Sequence, residues 1–245
     1  MQELDARNYG YKDLNRTIKT IFSQGENDIH LRNVTGQRYI ANGVQGKQKI
    51  SIEGIPGNDT AAYMDGLEIT VKGNAQDALA NTMNSGRVIV HGNAGDTVGY
   101  SMRGGEIFIK GNVGYRVGIH MKEYCDKRPV MVVGGKTGSF LGEYMAGGII
   151  IILGLGVSDN EDIIGSYSAT GMHGGVIYIR GEVNPFLIWE DAIQSNTDQC
   201  DMEIISNYTM QFSEYFGVNY SEIMSKNFIK IVPGDRRPYG NLYAY

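Results

Sequence analysis

The chain is poor in the residues that most often carry chemistry. It has two cysteines (Cys125 and Cys200), one tryptophan and five prolines among 245 residues. Cysteines so far apart form neither a C-x-x-C redox pair nor a zinc-ligand set, and they read as reduced cytosolic thiols. The four histidines, His30, His91, His120 and His173, have no metal-type spacing. H-E-x-x-H, G-x-S-x-G and Walker sequences are absent, so no metal or cofactor is expected on this chain. Charged residues make up 20% and the net charge is −5. That balance excludes the broad basic face needed to neutralise a nucleic-acid backbone. The most apolar run, Met145 to Val157, is too short to cross a bilayer. The N-terminus, Met1-Gln2-Glu3-Leu4-Asp5, is no signal peptide. A soluble, cytoplasmic protein without membrane or nucleic-acid partners is expected.

Glycine is what the chain has in excess, at 34 residues. Seven apolar pairs alternate by two: Ile50/Ile52, Ile69/Val71, Val88/Val90, Ile107/Ile109, Met131/Val133, Ile150/Ile152 and Ile177/Ile179. Two residues after each pair stands a glycine: Gly54, Gly73, Gly92, Gly111, Gly135, Gly154 and Gly181. Successive spacings are 19, 19, 19, 24, 19 and 27, so the register breaks only by insertion, near 122–129 and 156–165. Ten residues after the first five glycines come Met64, Met83, Met102, Met121 and Met145, with Met172 displaced by the second insertion.

A period of this length holds one strand and several turns, too little for a propeller blade. Coiling it pairs each strand in parallel with its copy in the next rung. The expected fold is therefore a right-handed parallel β-helix, an all-β core of about seven rungs and roughly 30 Å long at the spacing of paired strands. Isoleucine, valine and methionine columns should fill the interior, the methionines as flexible packing rather than a cofactor box. Glycines should serve corners where a Cβ would clash or φ must be positive. Asn74, Asn93 and Asn112, each following a repeat glycine, suggest a side-chain ladder. Ile29-His30-Leu31, with Asn33 in the glycine position, suggests a degenerate eighth rung.

The outward strand column changes character along the rod. It runs Ser51, Thr70, Ile89, Phe108, Val132, Ile151, Tyr178, polar first and apolar later. Such a stripe requires a cover. Helical spacing of apolar residues over 11–22 and 199–216 supplies candidates, the second bounded by Asp198 as N-cap and Gly217 as stop. A short helix after Ser221 and an extended tail follow. The expected divisions are a helical cap over 1–28, the β-helix over 29–183, and a helical segment with extended tail over 184–245. Any part of the Phe108–Tyr178 stripe left bare would be an interface, closed in the isolated protein by homo-oligomer formation, most simply a dimer.

Two loops interrupt the rungs. Glu161-Asp162, in the second, reads as a solvated acidic pair rather than an acid–base couple. The first, Glu123-Tyr124-Cys125-Asp126-Lys127-Arg128-Pro129, is the densest polar cluster on the rod. Tyr124, Asp126, Lys127 and Arg128 are its candidate partner contacts, the alternative being an internally salt-bridged loop.

The rungs G-x-x-G-x-x-x-G resemble the G-x-G-x-G domain at the C-terminus of the glutamate synthase large subunit. Lys127-Arg128-Pro129-Val130, Gly135-Lys136-Thr137-Gly138, Gly142-Glu143-Tyr144-Met145-Ala146-Gly147-Gly148 and Arg237-Pro238-Tyr239-Gly240 are similar to the stand-alone form of that domain. The resemblance runs from about residue 30 to the end. It implies a non-catalytic structural subunit that bridges the glutaminase and synthase modules and supports ammonia transfer between them. The family's glutaminase nucleophile is an N-terminal cysteine, and Gln2 stands at position 2 here. The family's iron–sulfur cluster takes three cysteines, and this chain has two. Flavin mononucleotide (FMN) and the cluster are therefore expected on partner chains, one with the glutaminase domain and one with the FMN domain. The rung pattern is also similar to that of a component of formylmethanofuran dehydrogenase, a second reading. A polysaccharide-active β-helix is a third, disfavoured by the lack of an acidic strand column.

Overall fold

A computed structural model describes residues 1–158 and 160–234. The C-terminal motif Arg237-Pro238-Tyr239-Gly240 lies outside the described residues. The main stack runs β2 (Asp28–Thr35), β3 (Lys49–Ile55), β4 (Asp65–Val71), β5 (Ser85–Val90), β6 (Glu106–Ile109), β7 (Val130–Val133), β8 (Ala146–Ile152) and β9 (Gly174–Arg180), each parallel to the next. The register is the one the period dictates: Ile29 pairs with Ile50, then Ile69, Val88, Ile107, Met131, Ile150 and Ile177. The protein is a parallel β-helix. Its inward pairs and five of the six column methionines are fully or almost fully buried, and Met172 is nearly so. Such columns exclude water without offering a polar group that needs a partner.

The degenerate rung is real. Asn33, in the place of the glycine, adopts φ +55, a region that Asn tolerates better than other side-chain-bearing residues. The ends differ from simple helical caps. β1 (Gln2–Asp5) adds a parallel strand beside β2. Helix α1 (Tyr11–Ser23) then places Leu14, Ile18 and Ile21 in the same core as Ile29 and Leu31. At the other end β11 (Phe228–Pro233) pairs antiparallel with β9, and β10 (Ala192–Asn196) pairs antiparallel with β11. The change of direction ends the solenoid, and Ile231 joins its interior.

Helix α2 (Gln199–Phe216) does not cap an end. It lies along the side, over the apolar stripe. Ile205, Phe212 and Phe216 form a second core with Ile89, Phe108, Val132, Ile151 and Tyr178, joined by Ile223 of α3 (Tyr220–Ile223). The Phe108 and Tyr215 rings meet at 5.0 Å. The cover that the stripe requires is the chain's own helices α2 and α3. Phe108, Val132, Ile151 and Tyr178 are at most 1% exposed, so the stripe is an internal seam and gives no surface for a dimer.

One polar cluster fixes α2. Asp198 caps the helix, accepting from the Asp201 amide at 2.9 Å, and Asp201 reciprocates. Buried Asp201 also accepts from the Tyr178 hydroxyl at 2.6 Å and from Lys230 Nζ at 2.9 Å. Burial pushes the Asp201 carboxyl up, but these hydrogen bonds outweigh it and hold the group below its ordinary value. A depressed folded pKa stabilises the protein above the unfolded value, and the gain is lost as pH falls through the folded one. Tyr178→Phe is thus expected to cost about 1–2 kcal/mol at pH 7. The difference from wild type should narrow as acid protonates Asp201. Urea unfolding between pH 7 and 2 reads this, and a gap that widens in acid would contradict the assignment.

Candidate interaction site around the 122–129 insertion

The repeat glycines do three different jobs. Gly54, Gly154 and Gly181 have positive φ. Gly92, Gly111 and Gly135 do not; there the Asn74, Asn93 and Asn112 side-chain oxygens of the preceding rung stand 2.0–2.2 Å from where a Cβ would be. Gly73 packs against the Gly54 carbonyl. The asparagines do not form the side-chain ladder expected from their spacing. Asn74 Oδ1 accepts from the Asn93 amide, Asn93 Oδ1 from the Asn112 amide, and Asn112 Oδ1 from the Lys136 amide, at 2.8–2.9 Å. Asparagine and glycine thus form one device: the amide side chain reaches the next rung's backbone across a position that must lack a side chain.

A second glycine track precedes the strands and seats the first insertion. Tyr124 and Lys127 close a tight antiparallel hairpin, with Cys125 at φ +55 in its turn. Lys127 crosses Gly104, where a Cβ would lie 2.9 Å from its own Cβ, and reaches Asp65 of β4 at 3.5 Å. Arg128 Nε donates to Glu123 at 2.8 Å, and the same carboxylate accepts from the Gly148 amide at 3.3 Å. Gly147 must be bare because the Glu123 backbone nitrogen lies 2.6 Å from its Cβ position. The insertion therefore staples β4 to β8 across the rod. The Arg103 guanidinium sits 5.9 Å above the Tyr124 ring.

All four residues singled out from the sequence are exposed, but they are not equivalent. Lys127 and Arg128 are held in pairs within the chain, whereas the Tyr124 ring is half exposed and Asp126 makes no ion pair among the described residues. Reversing the charge at both Lys127 and Arg128 sets carboxylates against Asp65 and Glu123. Exposed pairs contribute about 0.2–1 kcal/mol each, and about 2–4 °C accompanies each kcal/mol in a chain this size. A drop of a few degrees in Tm is expected by calorimetry, and an unchanged Tm would show that the staple carries no load.

In the second insertion Glu161 and Asp162 are exposed, while Ile164 is buried in the main core. Glu161 binds Lys136 at 2.9 Å, and that hydrogen bond holds its carboxyl below the usual range. The histidines are dispersed. His30 meets Glu53 at 3.2 Å, His91 touches the Phe216 ring edge, His120 stacks on Tyr144, and His173 contacts the Gly171 carbonyl. No group of three or more metal-type side chains comes together among the described residues. Both cysteines are free and exposed. No helix among the described residues is long and apolar enough to cross a membrane.

Sequence reasoning missed an aromatic surface on the turn arcs. Tyr63 and Tyr144 occupy the column just before the methionines, with His120 between them in chain order. Tyr167 stacks on Phe140 at 5.4 Å, with Arg116 4.8 Å above the Phe140 ring. Tyr63, Tyr100, Tyr115, Tyr144 and Tyr167 are between 38% and 56% exposed, a composition typical of protein interfaces. Reading the repeat's arc columns, and not its strand columns alone, would have found it.

A Gly-marked parallel β-helix with asparagine-linked rungs, a side helix and an inserted hairpin defines a solenoid scaffold. The chain belongs to the GXGXG motif family, which it matches over residues 7–234. Its domain is like the one found in the glutamate synthase large subunit. It is also similar to a curated protein of Methanocaldococcus jannaschii, described as uncharacterized protein MJ1350. The two are 47% identical, with 98% of this chain and 95% of the other covered.

Proposed function

We propose that this chain is a non-catalytic structural subunit of a glutamate synthase-type assembly. It docks a glutaminase-domain chain and an FMN-domain chain and supports the passage of ammonia between them. FMN and the iron–sulfur cluster belong to those partners. The observation that carries the reading is the family domain itself, which accounts for residues 7–234. The Tyr124 hairpin and the exposed tyrosines of the arcs favour a docking role: they are rigid aromatic contacts on a stiff scaffold, which lose little freedom on binding.

The test is co-purification of tagged protein with glutaminase-domain and flavin-domain chains encoded in the same genome. Wild type is expected to retain both. Tyr124→Ala with Asp126→Arg is expected to lose at least one, at a Tm close to wild type, because Tyr124 contributes only a cation–π contact of about 0.5–1 kcal/mol. Equal recovery with the double variant would remove the hairpin from the interface. Recovery of a molybdenum or tungsten enzyme instead would favour the formylmethanofuran dehydrogenase reading. Purified alone, the chain is expected to show neither flavin absorbance nor glutaminase turnover above a no-enzyme control.

A further inference from the structure

The sheet ends in two edge strands among the described residues, and they are built differently. β1 forms one edge. It carries Glu3 and Asp5, bound to Arg32 and Arg7, and charge of that kind guards an edge against further pairing. β10 forms the other. It bonds to β11 alone, so its outer side has no strand partner among the described residues. Its sequence, Ala192-Ile193-Gln194-Ser195-Asn196, holds no charge and no proline. Its register with β11 is unbroken over five pairs, so no bulge turns the edge aside. Ile193 to Asn196 are all exposed, so no helix or loop covers the strand. β10 thus lacks every device by which a sheet margin is normally closed.

The surroundings are apolar and acidic. Ile193 is 50% exposed and stands beside Val232 of β11. Phe186, in the segment leading into β10, is 93% exposed. From Gly181 to Ser225 the chain carries eight acidic residues and no lysine, arginine or histidine. Asp198 and Asp201 lie against Lys230. Glu190 and Asp191, at the start of β10, are exposed and have no ion pair among the described residues. Asp191 accepts from the Trp189 indole at 3.3 Å.

We propose that the free edge of β10 takes up an extended basic segment of a partner protein as an added strand. Each feature selects one property of the occupant. Unpaired backbone calls for another extended backbone, which supplies affinity through main-chain hydrogen bonds. The Val232–Ile193 row calls for an aliphatic side chain opposite Ile193. Glu190 and Asp191 call for lysine or arginine at the flank. A second copy is the wrong occupant. Pairing β10 antiparallel with itself about Gln194 sets Glu190 opposite Asp198 of the other copy, like charge against like. Nucleic acid and anionic lipid are repelled by the same acids. The proposal does not rest on the glutamate synthase reading, and its test uses no chain of that assembly.

The probe is a fluorescein-labelled peptide of alternating valine and threonine with lysines at both ends, titrated with the full-length protein by fluorescence anisotropy. Saturable binding is expected. An added strand bonds through one of its edges only. N-methylation of one alternate set of peptide amides should therefore abolish binding, and methylation of the other set should leave it within about twofold. Ile193→Lys, which guards the edge, and Glu190→Lys/Asp191→Asn, which removes its charge, should each weaken affinity at least about tenfold. All three positions are exposed, so circular dichroism and thermal melting of both variants should match wild type. Failure to saturate, equal losses from the two methylation patterns, or unchanged affinity in either variant would each overturn the proposal. So would tighter binding of a synthetic peptide of residues 235–245, which would give the edge to the chain's own tail. A dimer in sedimentation velocity that Ile193→Lys dissolves would give it to a second copy, with the same consequence.

Discussion

Val90→Asp is expected to destabilise the protein by about 3–5 kcal/mol, the usual cost of a buried charge with no partner. Val90 is fully buried and stands in register between Val71 and Ile109. Its carbonyl already accepts from the Lys110 amide, and the neighbouring His91 amide is used by Val71. The new carboxylate would find only aliphatic neighbours, so it must either drag water into the stack or bind a proton. Because each rung rests on its neighbours, a fault here weakens the contacts on both sides. Against a total stability of about 5–15 kcal/mol, such a loss leaves the fold marginal. Ser51→Asp is the control. Ser51 belongs to the outward column, between His30 and Thr70, where α2 does not reach. It should move the urea midpoint little. Equal shifts for the two variants would sink the inside/outside assignment of the strands.

That assignment was legible because the signal repeats. A two-residue alternation returning at a fixed interval leaves one parallel register, and insertions shift it without blurring it. Helix α2 was legible to the residue because its stop signals are local: Asp198 at one end, and Gly217 with φ +64 at the other. What escaped the sequence depends on distant atoms. The apolar turn from Ile89 onward announced a cover, but nothing local showed that α2 would seal all of it. The staple was half visible. Lys127 and Arg128 stood out as charged, while their partners, Asp65 in a much earlier rung and Glu123 seated beside Gly148, follow only from the stacking. Ala61 and Ala80 adopt φ +64 and +57, which alanine seldom does. Inter-rung bonds from their amides to Ile40 and Thr60 hold them there, and such bonds have no sequence signature.

Gly92→Val is expected to be the second most damaging change, at or above the upper end of the roughly 1–3 kcal/mol typical of overpacking. Its cause is steric and not conformational. Gly92 has no positive φ, so valine's backbone preferences are not violated there. A Cβ would instead lie 2.2 Å from Asn74 Oδ1 and 2.8 Å from the Gly73 carbonyl carbon and oxygen. The asparagine can move, but only by abandoning the Asn93 amide that it accepts at 2.8 Å. The Gly73 backbone cannot move without disturbing the rung below. This predicts a partial rescue. In an Asn74→Gly background the side-chain collision disappears and the Asn93 amide has already lost its partner, so Gly92→Ala should cost less than in wild type. It should still cost something, because Gly73 remains. Gly54→Ala, at φ +119 and 2.1 Å from the Val34 carbonyl oxygen, has no comparable side chain to remove. Its cost should be the same in the Asn74→Gly background as in wild type. A double-mutant cycle read by urea unfolding separates the cases. Coupling near zero between positions 74 and 92 would show that the rung's asparagine is not the reason its neighbour must be glycine.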